Sequence, residues 1–125
     1  MRLLLDTHVL LWALGLPEEL RPDARRAIAD PSNDVLVSAA SAWEIAIKRA
    51  LGRLDAPNDL AEALEVVGFD ELPIRLEHAL AVERLPPHHR DPFDRMLIAQ
   101  ALSEGLTIVT RDPRFAPYGA PLLAA

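Results

Sequence analysis

Arg2-Leu3-Leu4-Leu5-Asp6-Thr7-His8-Val9-Leu10-Leu11 opens the chain, and its reading decides the fold. Three consecutive leucines bounded by a charge read as a strand buried on both faces, as in a parallel sheet. Asp6 must then stand where that strand meets solvent, because a carboxylate stranded in an apolar core costs several kcal/mol. The exit of the first strand in an α/β domain is also where ligands gather.

Working outward, strand-like and helix-like segments alternate. Residues 7–14 fit a helix closed by Gly15, and residues 17–30 a second helix opened by Pro17, with Glu18 and Glu19 in its first turn. A short strand at 34–37 leads into a helix at 38–51 that Gly52 ends. Asn58 caps a helix running through Val67, with Gly68 as its stop. A short strand at 69–74 is confined to an edge or an end by Pro73. A helix at 76–85 stops at Pro86-Pro87, and the clearest helix runs from 91 to 103, ahead of Gly105. Residues 106–110 form a β-branched strand, and 121–123 suit an edge strand. The alternation predicts a single three-layer α/β domain over residues 1–125, with a central, mainly parallel sheet.

Composition narrows the function. Half the residues are hydrophobic and 26% are charged, a globular profile. Without cysteine there is no disulfide or thiolate metal site, which fits a reducing cytosol. The apolar segment at residues 1–16 is broken by Asp6 and His8, so it reads as neither a signal peptide nor a membrane span, and a cytoplasmic protein is expected. A net charge of −6 argues against a protein that coats nucleic acid electrostatically. It leaves room for a local metal site, where a bound cation reverses the field.

Four acids recur at element boundaries: Asp6, Glu44, Asp94 and Asp112. Each has a plain structural alternative. Asp6 can cap the helix that starts at Thr7, leaving its second oxygen free. Glu44 can pair with Lys48 one turn on, yet its neighbours Ala42, Trp43 and Ile45 suit a cleft better than open water. Asp91-Pro92-Phe93-Asp94 is a capping pattern with Asp91 as the cap. Asp94, in the first turn, is expected to have its pKa lowered by the helix dipole. Asp112 can be a turn residue before Pro113. The strand exits and helix starts of a parallel sheet share one edge of the domain. Carboxylates gathered there repel, by about 4 kcal/mol for a pair ~4 Å apart at an effective dielectric near 20. Protons or a divalent cation must relieve this, and all-oxygen donors suit Mg²⁺ or Mn²⁺.

Other features carry less. His88-His89 reads as a solvated loop, since adjacent histidines point apart, and His8 can line the edge beside Asp6 or pack structurally. Isolated glycines exclude a P-loop and a dinucleotide fingerprint. Arg90, Arg95, Arg111 and Arg114 flank two of the acids, either as charge balance or as a grip on a phosphodiester backbone.

The stretches at residues 4–12, 37–45, 89–101 and 107–112 together resemble the PIN-domain family, and within it the VapC-type toxins of bacterial type II toxin–antitoxin pairs. The resemblance runs nearly end to end, with four motifs in the family's order. It implies a Mg²⁺- or Mn²⁺-dependent endoribonuclease acting on RNA, a homodimer, and inhibition by a small cognate antitoxin. It maps the family's acidic quartet onto Asp6, Glu44, Asp94 and Asp112, with Asp91 as cap or auxiliary acid. Thr7 and Ser38 are candidate supporting hydroxyls, and Arg95 a further auxiliary. The rival readings are an aspartyl-phosphate enzyme and a non-catalytic partner-binding module whose acids are caps and surface pairs. The first lacks its second acid two residues after Asp6, where His8 stands.

Overall fold

Leu3, Leu4 and Leu5 are fully buried at the centre of the molecule. The computed structural model describes all of residues 1–125. These leucines belong to strand β1 (Arg2–Leu5), the middle of a five-stranded sheet. The others are β2 (Asp34–Ser38), β3 (Asp70–Leu72), β4 (Thr107–Thr110) and β5 (Leu122–Ala124), in spatial order β3-β2-β1-β4-β5 and all parallel. The three-layer α/β reading is therefore borne out, and the sheet is wholly parallel.

Alternation along the strands divides the core in two. Leu3, Leu5, Val35, Val37 and Val109 face one layer, while Leu4 and Ile108 face the other. Helices α1 (Thr7–Gly15) and α2 (Pro22–Ala29) cover the first face through Val9, Leu10 and Ala24, with Leu60 and Leu64 of α4 (Leu60–Val67) packed at its margin. Leu97, Ile98 and Ala101 of α6 (Pro92–Glu104) cover the second. Helix α3 (Ala39–Ala50) spans both, with Ile45 in one core and Ala40 in the other. Full burial of each leucine contributes about 1.5–3 kcal/mol, so this strand is fixed before any polar detail. Both edge strands are three residues long, which limits their capacity to recruit a stray strand. No helix is long and apolar enough to cross a membrane.

The order of the connections decides where a ligand can sit. From β1 the chain steps to β2 and β3 on one side, then returns to place β4 and β5 on the other. The crevice between the carboxyl ends of β1 and β4 is thus the switch point where such sheets hold ligands.

Several boundaries differ from expectation for identifiable reasons. The helix expected at 17–30 is broken: a 3₁₀ turn, Pro17–Glu19, is followed by extended Leu20 and Arg21 and then α2. Pro22 causes this, since the residue before a proline is pushed out of the helical region. The cap of α4 is Asp59, whose Oδ1 accepts from the Glu62 N–H at 3.0 Å. Asn58 is occupied elsewhere, its Oδ1 and carbonyl accepting from Arg49 at 3.2 and 3.3 Å. Gly15 lies inside α1, and Leu16 closes that helix through an N–H bond to the Trp12 carbonyl at 2.8 Å. The helix expected at 76–85 is α5 (Leu76–Ala81) tightening to a 3₁₀ turn, Val82–Arg84. Gly68 and Gly105 do end their helices in the left-handed conformation, with φ of 79° and 68°.

Candidate metal centre

Asp6 is the residue immediately after β1, and only 6% of it is exposed. It does both jobs its sequence allowed. Oδ1 accepts from the Val9 N–H at 2.8 Å and caps α1, while Oδ2 accepts from the Thr110 hydroxyl at 2.5 Å. Thr110 ends β4, so this bond closes the crevice floor between the two strands. Burial raises the Asp6 pKa above the usual carboxylate value, more than its hydrogen bonds lower it.

Glu44 points inward from α3 and is 5% exposed. Its Oε1 accepts from the Thr7 hydroxyl at 2.7 Å, and that hydroxyl lies 3.0 Å from Ser41 Oγ. Lys48 does pair with Glu44, its Nζ 2.6 Å from Oε2. The pair is no ordinary surface bridge, because the glutamate is buried and the ammonium also feels the charges of Asp91 and Asp94.

Asp91 is the cap of α6, accepting at Oδ1 from the Phe93 and Asp94 N–H groups at 2.8 and 3.1 Å. Asp94 sits one turn in, and its Oδ2 lies 2.9 Å from His89 Nε2. Here the expected direction of titration is reversed: the Asp94 carboxyl is pushed up to about 7. Burial is the largest cause, followed by repulsion from Asp91, Asp6, Glu44 and Asp112. Burial, together with the four neighbouring acids, outweighs the helix dipole. Asp94 thus feels the charge of each of the other acids, while the donor atoms that lie within 4.8 Å of one another are those of His89, Asp94 and Asp112.

Asp112 starts the 3₁₀ segment Pro113–Tyr118, accepting at Oδ1 from the Arg114 N–H at 2.9 Å. The Arg114 guanidinium folds back onto it, with one nitrogen 2.8 Å from Oδ2. These bonds hold the Asp112 carboxyl down at about 2, against the opposing effect of burial. Environment alone therefore drives two aspartates in opposite directions, Asp94 up and Asp112 down.

The remaining candidates separate cleanly. Thr7 touches Glu44 directly, whereas Ser38 is occupied with structure: it caps α3 and donates to Gln100 Oε1 at 2.6 Å, tying β2 to α6. Arg95 is not aimed at the acids. Its guanidinium donates to the carbonyls of Val82, Leu85, Pro86 and His89 at 2.9–3.1 Å and so fastens the loop preceding α6. Arg111 stacks over Trp12, 4.2 Å from the ring centroid, and donates to the Ala125 and Glu19 carbonyls. Only Arg114 engages an acid, while Arg90 and His8 are exposed.

His89 corrects the sequence reading most sharply. Instead of lying in a solvated loop it is 1% exposed, with Nε2 2.9 Å from Asp94 Oδ2 and 3.2 Å from Asp112 Oδ2. Thr110 is the other site residue absent from the sequence-derived set, although a threonine ending the strand beside the one that leads to Asp6 is a readable signal.

The donor set fits a hard divalent cation. Five acids (Asp6, Glu44, Asp91, Asp94, Asp112) are electrostatically coupled here, while Lys48 pairs with Glu44 and Arg114 with Asp112. Burial and the excess of negative charge together push the Asp94 carboxyl up, and oxygen donors of this kind suit a hard divalent cation better than a soft one.

Fold and site together define an α/β domain with an acid-lined crevice at its switch point. The chain belongs to the PIN-domain family, whose model matches residues 3–120. It is 32% identical over 125 residues to ribonuclease VapC22 of Mycobacterium tuberculosis, covering 94% of this chain and 92% of that relative. Among solved structures, the fold is similar to VapBC2 of Rickettsia felis, crystallised on a promoter DNA fragment, with a TM-score of 0.73 at 14% identity over 99% of this chain and 98% of that one. It is also similar to VapBC-5 of Mycobacterium tuberculosis, a member of a toxin–antitoxin family, with a TM-score of 0.59 at 22% identity over 98% and 96%.

Proposed function

We propose that this protein is a Mg²⁺- or Mn²⁺-dependent endoribonuclease and the toxin of a toxin–antitoxin pair. The observation that carries the reading is the carboxyls of Asp94 and Asp112 brought together at His89, with Asp6, tied to Thr110, at the exit of β1 and Glu44 buried on α3. Similarity to a relative named a ribonuclease, and to toxin–antitoxin structures, supports the substrate class and the partner. An RNA substrate in turn favours a cytoplasmic setting.

Asp6 and Asp94 are the direct ligands in this reading, with Glu44 and Asp112 holding the cation directly or through water. A cation held there would supply a water of lowered pKa and would offset charge developing on the phosphoryl oxygens. The protein's own part is arrangement. Thr110 and the α1 N–H fix both oxygens of Asp6, while Thr7 and Lys48 fix those of Glu44. Asp94, whose carboxyl is pushed up to about 7, would have to give up its proton to hold a cation.

The non-catalytic module has something in its favour, since Asp6, Asp91 and Asp112 are all caps. Glu44 and Asp94 decide against it. Both are withdrawn from solvent, neither caps a helix, and a docking module has no use for the repulsion they create. The direct test is cleavage of a mixed RNA pool by the purified protein. Activity is expected with Mn²⁺ or Mg²⁺, none after EDTA, and full recovery on replenishing the metal. EDTA-resistant cleavage would contradict the metal mechanism. In cells, expression is expected to halt growth, and Asp6→Asn to abolish the arrest while keeping the α1 cap; equal arrest by both would exclude ribonuclease toxicity.

A second copy of the chain is the partner proposed for the apolar face shared by α3, α5 and α6. Trp43 is 60% exposed there and packs edge-on against Phe93 at 5.2 Å, and Ile74, Ala79 of α5 and Met96 of α6 line the same apolar hollow. Such surface is rarely left to water. The wild type is expected to sediment as a dimer and Trp43→Glu as a monomer; two monomers would exclude this face.

A further inference from the structure

Resting on the metal-centre reading, we propose that His89 is a positioning residue: its neutral imidazole, with the proton on Nε2, clamps Asp94 to Asp112 and sets the pair for a divalent cation. The tautomer is fixed by the bonds the ring makes. Nδ1 lies 3.2 Å from the Asp91 backbone nitrogen, whose N–H it accepts. A proton on Nδ1 would face that amide hydrogen head-on. The ring's one proton is therefore on Nε2, which lies 2.9 Å from Asp94 Oδ2 and 3.2 Å from Asp112 Oδ2.

The same tautomer excludes His89 as a metal ligand. Its Nε2 and an oxygen from each of Asp94 and Asp112 lie within 4.8 Å of one another, a spacing that also suits three ligands of one metal ion. A nitrogen that carries a proton has no lone pair to offer, so the shared centre of this trio is a hydrogen, and the cation belongs to the carboxylates. The clamp has a clear physical purpose. Asp94 and Asp112 repel each other, and a single N–H shared between their Oδ2 atoms holds them together without adding charge. Using Oδ2 on both residues also decides which oxygen of Asp94 is left to face a ligand.

The ring cannot drift. The backbone N–H of His89 donates to the Tyr118 hydroxyl at 2.7 Å, which itself donates to the Pro86 carbonyl at 2.6 Å. The Phe115 ring stands edge-on at 5.4 Å, and Arg95 grips the His89 carbonyl at 3.1 Å. His89 is thereby braced on the cap of α6, which carries Asp94, and on the 3₁₀ segment just after Asp112. His78 provides an internal comparison: its Nδ1 accepts from the Arg75 N–H at 3.0 Å and its Nε2 meets Glu104 at 2.8 Å. The same grammar there serves a single carboxylate outside the crevice.

Nitrogen-15 NMR of the histidine rings tests the tautomer, with diamagnetic Mg²⁺ as the added cation. His89 is expected to show a protonated Nε2 and a bare Nδ1 both before and after Mg²⁺ addition. A proton on Nδ1, or loss of the Nε2 proton when Mg²⁺ is added, would overturn the proposal. Calorimetric titration with Mn²⁺ then tests the clamp. His89→Leu is expected to weaken Mn²⁺ binding about 10–100-fold, and His89→Gln, which keeps a donor at that reach, to recover most of it. A His89→Leu protein with wild-type circular dichroism and wild-type Mn²⁺ affinity would contradict the clamp. Should the wild type itself bind no Mn²⁺, the metal-centre reading fails first and takes the clamp's purpose with it; the ring spectra still decide the donor assignment separately.

Discussion

Asp94→Asn is expected to lower RNA cleavage by about a thousandfold or more while making the metal-free protein more stable at pH 8. The two effects share one cause. The Asp94 carboxyl is withdrawn from water and repelled by Asp91, Asp6, Glu44 and Asp112, so its charged form is held at a cost. Asparagine keeps the shape and can still accept from His89, but carries no charge to be repelled. A rise in pKa from 3.8 to about 7, discounted for the part of the group that water still reaches, corresponds to a gain on the order of 2 kcal/mol. In a domain of this size that raises Tm by roughly 5–10 °C. Thermal melts in EDTA, beside cleavage assays in Mn²⁺, measure both. A variant that loses activity and stability together would show Asp94 to be a structural residue.

The second large effect is on pH. In the metal-free protein the native state holds the Asp94 proton more tightly than the unfolded chain does. Its contribution to stability is fully present below about pH 4 and is lost as the pH rises through about 7. Asp6, also raised by burial, acts in the same direction. Asp112 runs the other way: its stabilisation by Arg114 is present above about pH 4 and lost as the pH falls toward 2. Metal binding inverts the Asp94 dependence, because the cation must displace that proton. Mn²⁺ affinity is expected to fall about tenfold for each pH unit below 7 and to level off above it. Titrations between pH 5.5 and 8.5 check this. An affinity flat across that range would mean that Asp94 is not a ligand.

Much of this architecture is legible in the sequence because it rests on burial. Leu3-Leu4-Leu5 can satisfy itself only in the middle of a parallel sheet, and Asp6 can then stand only at its exit. Asp91-Pro92 announces the start of α6 through capping chemistry that is local in sequence. What stays hidden is decided by partners far along the chain. Asp94 is expected to titrate low when only its own helix is read; the burial that chiefly pushes it up, and the four acids that add to it, come from other elements or from the cap beside it. His89 reads as solvated because nothing local reveals that Asp112, 23 residues on, lies within reach of its ring. Arg95 stands among a basic cluster that suggests phosphate contacts, yet the carbonyls of its own preceding loop claim it. The break at Leu20 and Arg21, by contrast, is local: Pro22 alone suffices to predict it, through its effect on the residue before it.

Anomalous diffraction from crystals grown with millimolar Mn²⁺ tests the centre of the account most directly. The expected result is a manganese peak in the crevice between β1 and β4, about 2.0–2.3 Å from carboxylate oxygens of both Asp6 and Asp94. A crevice without manganese, or an ion seated instead at the separate Glu77, His78 and Glu104 group, would contradict it.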